Sequence, residues 1–373
     1  MNARMSTHGA QERIYNFSAG PAVMPVPVLE RIRDEILCLP GAGASVMEIS
    51  HRGKEFIAVH EQAKARLARL LGVTVQHEIL FLQGGARLQF SMIPMNLLRG
   101  QVGPAQYVLT GSWGNSAIDE ARREGATEVI YDAKETNYDR LPTAQELKIN
   151  PKAAYLHITS NETIQGVQFP KDLDTGSVPL VCDSSSDFMY RPYDISRYGI
   201  MYACAQKNAG PAGVTVVVIK KELLERSSKD LPGYLNYQTQ AKNDSMWNTP
   251  PTFAIYVLGL VAEWLEETIG GLDKMLEINI PKAGILYDVL DRNSHFYLGH
   301  AKREDRSLMN VTFRFAKTEV EKDFLKQAKQ QGMDGLAGHR SVGGIRASIY
   351  NAMPLDGARA LAEFMADFAQ QNS

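Results

Sequence analysis

Tyr198-Gly199-Ile200-Met201-Tyr202-Ala203-Cys204-Ala205-Gln206-Lys207-Asn208-Ala209-Gly210-Pro211-Ala212-Gly213-Val214-Thr215-Val216-Val217-Val218-Ile219 joins two apolar runs through a Gly/Pro-rich turn. Neither run alternates apolar with polar residues. A strand with one wet face shows that alternation, and a strand covered on both faces does not. Similar runs occur at Ile79-Leu80-Phe81-Leu82, Tyr107-Val108-Leu109, Val129-Ile130-Tyr131, Ala154 to Ile158 and Pro179 to Cys182. Helix-like segments separate them. Glu55 to Leu71 carries Phe56, Val59, Ala63, Leu67 and Leu70 on one stripe, and Gly72 follows as a stop signal. This alternation predicts an α/β fold: a mostly parallel sheet, buried on both faces, with helices on both sides.

The pattern changes after residue 250. Phe253 to Ile269 and Leu272 to Leu290 read as two long helices separated by Gly270-Gly271. A strand at Leu308 to Phe315, a helix near Val320 to Gln330, a strand at Ile345 to Tyr350 and a helix from Leu355 follow. These elements predict a smaller C-terminal α/β domain. The chain shows no internal repeat.

Composition narrows the function. The 373 residues carry 40 Lys+Arg against 42 Asp+Glu, a net charge of -2, which removes the electrostatic case for a nucleic-acid partner. Hydrophobic residues make up 44%, enough for a sizeable core. Three cysteines, Cys38, Cys182 and Cys204, form no disulfide framework and point to a reducing compartment. The first 13 residues lack the apolar centre of a secretory signal, and residues 1–11 read as a flexible leader. No apolar stretch approaches the ~18 residues of a spanning helix. The expectation is a cytoplasmic protein with no membrane partner.

Ligands of open α/β sheets sit at the carboxyl ends of the strands, so the loops after these runs hold the candidates. Gln83-Gly84-Gly85-Ala86-Arg87 follows a strand and opens a helix. Glycines there let backbone amides approach a phosphate, although a plain tight turn fits as well. The loop is neither a Walker A motif nor a dinucleotide fingerprint. Asp183 ends the strand Val178 to Cys182. It could meet a ligand, hold a metal or cap a helix, and Ser184-Ser185-Ser186 favours the cap. Lys207 lies in a segment too apolar for a solvated face. It could form a Schiff base, or satisfy a neighbouring carboxylate. An Asp at one strand end and a Lys at the end of a following strand match the needs of pyridoxal phosphate: an amine for its aldehyde and an acid for its pyridine nitrogen. Trp113, in the loop Thr110-Gly111-Ser112-Trp113-Gly114-Asn115, could give its ring a stacking face. Eight histidines are present without metal-ligand spacing, so no metal is expected.

Taken together these segments resemble the phosphoserine aminotransferase family, class-V, fold-type-I enzymes that use pyridoxal phosphate. The resemblance is carried by Tyr15-Asn16-Phe17-Ser18-Ala19-Gly20-Pro21, His51-Arg52, Gly84 to Phe90, Ser160-Asn161-Glu162-Thr163-Ile164-Gln165-Gly166, Asp183 to Ser186, Ala205 to Gly213, Asn248-Thr249-Pro250-Pro251, Gly338-His339-Arg340 and Gly344-Ile345-Arg346. It implies that Lys207 holds the cofactor covalently and that Asp183 pairs with its pyridine nitrogen. Trp113 would stack on the ring, and Ala86, Arg87, Thr163 and Gln206 would contact its phosphate or substituents. Asn248 and Thr249 would reach the cofactor of a partner subunit in a homodimer with shared active sites. His51, Arg52, His339, Arg340 and Arg346 would form the anion pocket for the substrates. The implied domains are an N-terminal segment, 1–25, packed with the small domain; a large cofactor-binding domain, 26–269; and a small domain, 270–373.

The implied reaction transfers an amino group between L-glutamate and 3-phosphohydroxypyruvate, giving O-phospho-L-serine and 2-oxoglutarate for serine biosynthesis. In bacteria the family also serves pyridoxine biosynthesis through a phosphohydroxythreonine intermediate. Paired His-Arg motifs suit substrates with two anionic ends, because arginine forks grip carboxylate and phosphate alike. An aminotransferase of the alanine–glyoxylate type is the nearest alternative, yet its substrate has no distal anion for those motifs. A cysteine desulfurase lacks its loop cysteine here. A non-catalytic phosphate-binding module would leave Lys207 and Asp183 without a task. The chain departs from the family pattern at Gly53, where many relatives carry Ser, and in its Gly-Gly-Ala-Arg loop.

Overall fold

The computed structural model describes residues 13–372. The leader expected over residues 1–11 lies outside the described residues.

A seven-stranded sheet organises the larger part of the chain, in the order His77–Leu82, Thr215–Lys220, Tyr198–Cys204, Leu180–Asp183, Tyr155–Thr159, Ala105–Leu109, Thr127–Asp132. Neighbours pair in parallel except around Thr215–Lys220, which is antiparallel to both of its partners. Thr215 therefore begins between the ends of two flanking strands, opposite Leu82 and Cys204. Thr159 pairs with Asp183, and Asp183 with Tyr202. The loops that follow Leu82, Leu109, Thr159, Asp183 and Cys204 thus leave the sheet on one edge.

Both faces of this sheet are covered. Val216 and Val218 join Phe56, Leu67, Phe81, Ile158 and Leu258 in one core. Val217 and Ile219, one residue out of phase, join Phe90, Ile93, Tyr107, Tyr155 and Tyr202 in another. Successive strand side chains point to opposite faces, so a strand buried on both sides needs apolar residues at every position. The strand Thr127–Asp132 departs from the expectation of two buried faces. It is one of the two edge strands, and unlike the other, His77–Leu82, it is left largely uncovered, with Val129 38% exposed.

The segment expected as one helix from Phe253 to Ile269 is an α-helix over Thr252–Glu263 that continues as a π-helical turn, Trp264–Ile269, and stops at Gly270 with φ 88°. The next helix, Leu272–Arg292, spans two cores. Leu272 and Met275 pack with the large sheet, whereas Ala283, Leu286 and Leu290 pack with a third, aromatic core. That core holds Phe296, Tyr297, Phe313, Phe315, Phe324, Phe364 and Phe368. It is built on a three-stranded antiparallel sheet, Tyr297–Gly299, Asn310–Phe315 and Ile345–Ser348, covered by the helices Glu321–Gln330 and Leu355–Asn372. Tyr15 and Phe17 are buried in the same aromatic core, and Tyr15–Asn16 pairs with Met333–Asp334. Cys182 and Cys204 are buried within strands; Cys38 is exposed beyond the helix Val26–Glu35. No helix of the described residues is long and apolar enough to cross a membrane.

Candidate active site

Four of the loops on the shared sheet edge converge. Lys207 follows the strand Tyr198–Cys204, and its Nζ donates to Thr163 Oγ1 at 2.8 Å. Thr163 itself comes from the segment that follows Tyr155–Thr159. Asp183 ends Leu180–Asp183 and is 4% exposed. Its Oδ1 accepts the Ser185 amide at 3.0 Å, but a turn and not a helix follows, so Asp183 does not serve as the helix cap that the serines suggested. Burial raises its carboxyl above the ordinary value, while the Lys207 ammonium and the Ser185 hydrogen bonds pull it partway back. Trp113 opens the helix Ser112–Ala121, and the Lys207 ammonium sits 5.3 Å from its ring centre. The Arg87 guanidinium approaches the same ring at 5.6 Å.

The glycine loop has the backbone an anion site requires. Gly84 and Gly85 adopt φ 91° and 66°, in the left-handed region that favours glycine. A Cβ at Gly84 would fall 2.5 Å from Leu88 Cδ2. The helix Gly85–Leu97 starts there with no side-chain cap, so the amides of its first turn, Ala86 and Arg87 included, have no partner within the helix.

A second group lies beside the first. Gln165, two residues beyond Thr163, lines a cavity of about 40 Å³ with Ile164, His300, Thr312, His339 and Arg346. Arg346 stands on the strand Ile345–Ser348, and its buried Nε has no partner among the described residues. Burial lowers its pKa, and burial followed by the charges of Arg346 and Arg340 lowers that of His339. The Arg346 guanidinium, with its unpartnered Nε, gives this cavity a donor suited to an anion. Tyr350 connects the two groups. Its hydroxyl donates to the Ala19 carbonyl at 2.7 Å, and it feels the charges of both Lys207 and Arg346. The N-terminal segment closes on the Lys207 turn through the Ala22 amide, which donates to the Gln206 carbonyl at 2.9 Å.

Other candidates stand apart. Arg340 is exposed in the loop that carries His339. His51 and Arg52 form a turn ahead of the helix Lys54–Leu71, with the Arg52 amide donating to Ser50 Oγ at 3.2 Å. Asn248 and Thr249 are exposed, and the Thr249 carbonyl accepts Gln83 Nε2 at 3.3 Å. Among the described residues no hydrogen bond or ion pair joins these side chains to Lys207 or Asp183.

The family model for "Aminotransferase class-V" matches residues 14–361. The chain belongs to the class-V aminotransferases. A phosphoserine aminotransferase of Rhodopirellula baltica is 56% identical over 97% of this chain and 96% of its own length. The structure of phosphoserine aminotransferase from Bacillus circulans subsp. alkalophilus superposes with TM-score 0.94 at 49% identity, covering 97% of this aminotransferase and 99% of that chain. The pyridoxal-phosphate-bound phosphoserine aminotransferase of Trichomonas vaginalis gives TM-score 0.89 at 39% identity, over 95% and 99%.

Pyridoxal phosphate is the cofactor of this family, and the aminotransferase has a matching donor set. The amine of Lys207, the buried carboxyl of Asp183, the indole face of Trp113 and the uncapped helix at Gly85 stand at one sheet edge. Trp113 Nε1 is buried without a partner among the described residues, as expected for a group that faces a ligand. Two neighbours in this site escaped the sequence reading. Glu162 and Tyr350 both lie within or beside quoted motifs, but their partners come from distant loops.

Proposed function

We propose that this aminotransferase moves an amino group from L-glutamate to 3-phosphohydroxypyruvate, producing 2-oxoglutarate and O-phospho-L-serine. The observation that carries the reading is the placement of two anion-binding surfaces around one lysine. The Arg346–His339 cavity begins two residues from Thr163, which holds Lys207 Nζ. A substrate with a charge at each end needs such an arrangement.

When bound, pyridoxal phosphate supplies the carbonyl that exchanges the amino group and the ring that accepts electrons from the substrate α-carbon. Lys207 Nζ would hold it covalently until the substrate amine displaces that nitrogen. The free Nζ would then act as base toward the substrate α-proton and as acid in delivering it, so one amine serves both proton transfers. Asp183, a buried carboxyl, would pair with the pyridine nitrogen and keep that nitrogen protonated. Trp113 would cover one ring face. The amides of Ala86 and Arg87, with Thr163 and Gln206, would hold the phosphate and ring substituents. Arg346 would take the α-carboxylate, and His339, Arg340, His51 and Arg52 the distal anion. Both substrates use the same contacts in turn, so the kinetics are ping-pong.

A homodimer with shared active sites accounts for His51, Arg52, Asn248 and Thr249, which are polar, conspicuous in sequence and apart from Lys207 in their own chain. Asn248 and Thr249 would contact the cofactor phosphate of the partner subunit. A division into 1–25, 26–269 and 270–373 is supported by the separate aromatic core of Tyr15, Phe17 and the C-terminal elements, with the helix Leu272–Arg292 as the connection. A cytoplasmic location suits the free cysteines.

The test is a visible spectrum of the purified protein before and after addition of O-phospho-L-serine. A yellow band that gives way to the pyridoxamine spectrum is the expected result. A yellow protein indifferent to phosphoserine would move the assignment to another amino donor. A colourless protein that stays colourless after reconstitution would overturn the reading.

A further inference from the structure

The helix Ser112–Ala121 carries Trp113 into the site, yet nothing at its own start holds it. Its N-cap is Gly111, which has no side chain to offer. The missing acceptor comes from a segment 49 residues away. Glu162 Oε2 accepts the Trp113 amide at 3.0 Å, and Oε1 accepts the Gly114 amide at 2.9 Å. Gln165 assists through Ser112: its Nε2 donates to Ser112 Oγ at 3.0 Å. Glu162 is fully buried. A carboxylate that takes one amide on each oxygen is an ionised one, set against the positive end of a helix.

Glu162 and Gln165 pack directly against Gly111. A Cβ at Gly111 would lie 2.5 Å from both Glu162 Cδ and Gln165 Oε1. The residue after Glu162 is Thr163, which holds Lys207 Nζ. One short segment thus fixes the indole with one side chain and the reactive amine with the next.

We infer that Glu162 is a positioning residue of the transamination site, whose carboxylate clamps the Trp113 helix and balances the charge of Lys207. The inference rests on the roles of Lys207 and Trp113 proposed above. The titratable groups that face Glu162 are Asp183, Lys207 and, from the neighbouring turn, Tyr138. Burial, and less so the charge of Asp183, pushes its carboxyl up to about 7, opposed by the two amides and by Lys207. Glu162 therefore keeps its proton to higher pH than an ordinary carboxyl, with the two amides and Lys207 favouring its ionised form.

Two variants separate charge from position. Glu162→Gln keeps the size and removes the charge. Gly111→Ala keeps the charge and displaces the carboxylate. For cofactor-loaded Glu162→Gln without substrate, the pH midpoint of the visible band should fall by about one unit, because a carboxylate no longer favours the protonated nitrogen. For Gly111→Ala, cofactor affinity should fall about tenfold through the misplaced indole. The apoprotein supplies a readout that needs no cofactor. The emission of Trp113, taken as the difference from a Trp113→Phe protein, should shift to the red in both variants. A wild-type midpoint in Glu162→Gln, or wild-type affinity and emission in Gly111→Ala, would overturn the inference. A wild-type protein that binds no pyridoxal phosphate would instead overturn the proposed function, and the apoprotein emission would still decide the role of Glu162.

Discussion

The site has two unlike halves. Around Lys207 three polar groups, the half-buried lysine and two buried carboxyls, already have partners: Lys207 with Thr163, Asp183 with Ser185, Glu162 with two amides of the Trp113 helix. Around Arg340, Arg52, Asn248 and Thr249 the side chains are exposed and their bonding is sparse. The difference follows from what each half must do. Covalent chemistry requires an amine, an acid and a ring face held to within a fraction of an ångström. Such precision comes from strand ends and packed turns. Grasping two different anions in turn requires donors that can adjust, and loops and arginine forks suit that task. Arg346 lies between the halves: it is anchored on a strand, yet its buried Nε has no partner among the described residues.

The largest break in this comparison is Lys207→Ala. It should remove covalent cofactor attachment and lower kcat by at least ~10³-fold, read from the visible spectrum and steady-state rates. Retained activity with either substrate would show that the buried half is not the reacting half.

Asp183→Asn should cost about 10²-fold in kcat while acting in the opposite sense on the apoprotein. The Asp183 carboxyl is raised in the folded state, chiefly by burial. Its contribution to stability is therefore full below its unfolded value and is lost as pH rises through its folded value. The amide does not titrate, so the apo variant should melt above the wild-type apoprotein at pH 7.5 and match it more closely near pH 4. An apo variant that melts lower at pH 7.5 would contradict this assignment.

The adjustable half should give smaller, substrate-centred effects. Arg346→Ala should raise KM for glutamate and phosphoserine alike by roughly 10–100-fold, because both present an α-carboxylate. Arg340→Ala, at an exposed position, should raise KM only a few-fold and mainly for the phosphorylated substrate. Equal effects of the two substitutions would erase the proposed distinction between an anchored and a mobile donor.

Asn248→Ala with Thr249→Ala should weaken cofactor retention about tenfold, measured by dialysis of the loaded protein. Mixing this variant with Lys207→Ala tests the shared site directly. A mixed dimer places an intact Lys207 opposite intact Asn248 and Thr249 in one of its two sites, so activity should return. Continued inactivity would confine those residues to their own chain.

A last, small effect concerns protons. Burial and the nearby arginines lower the His339 pKa, and an anion bound beside it would raise it again. Substrate binding near pH 7 should therefore take up a fraction of a proton. Calorimetric titration in two buffers of different ionisation enthalpy would reveal it, and identical heats would remove His339 from the anion pocket.

Most of the architecture was readable from local pattern. Val216 to Ile219 is apolar at every position because helices cover both faces of its strand. Gly72 ends its helix in the left-handed conformation, as its position suggested. The reading lost accuracy where a property depends on neighbours in space. Val129-Ile130-Tyr131 has the same composition as a central strand, and only the order of strands makes it an edge. The π-helical turn after Glu263 carries no distinctive residue. Glu162 was visible as a carboxylate inside a recognisable motif, but its two acceptor bonds reach a helix start 48 and 49 residues earlier.

The sequence by itself determined the element types, the burial of the large sheet and the kinds of chemical group available: an amine, an acid, an aromatic face, a glycine loop and several arginines. Each of those is encoded within a few residues, where periodicity and side-chain chemistry act. Tertiary structure alone decided which of them meet. The antiparallel strand Thr215–Lys220 sets the ends at Leu82 and Cys204 on one edge, and pairing sets Thr159, Asp183 and Tyr202 side by side. It also decided that Glu162 completes the helix of Trp113, because an uncapped helix start buried beside a sheet must find its acceptor through space.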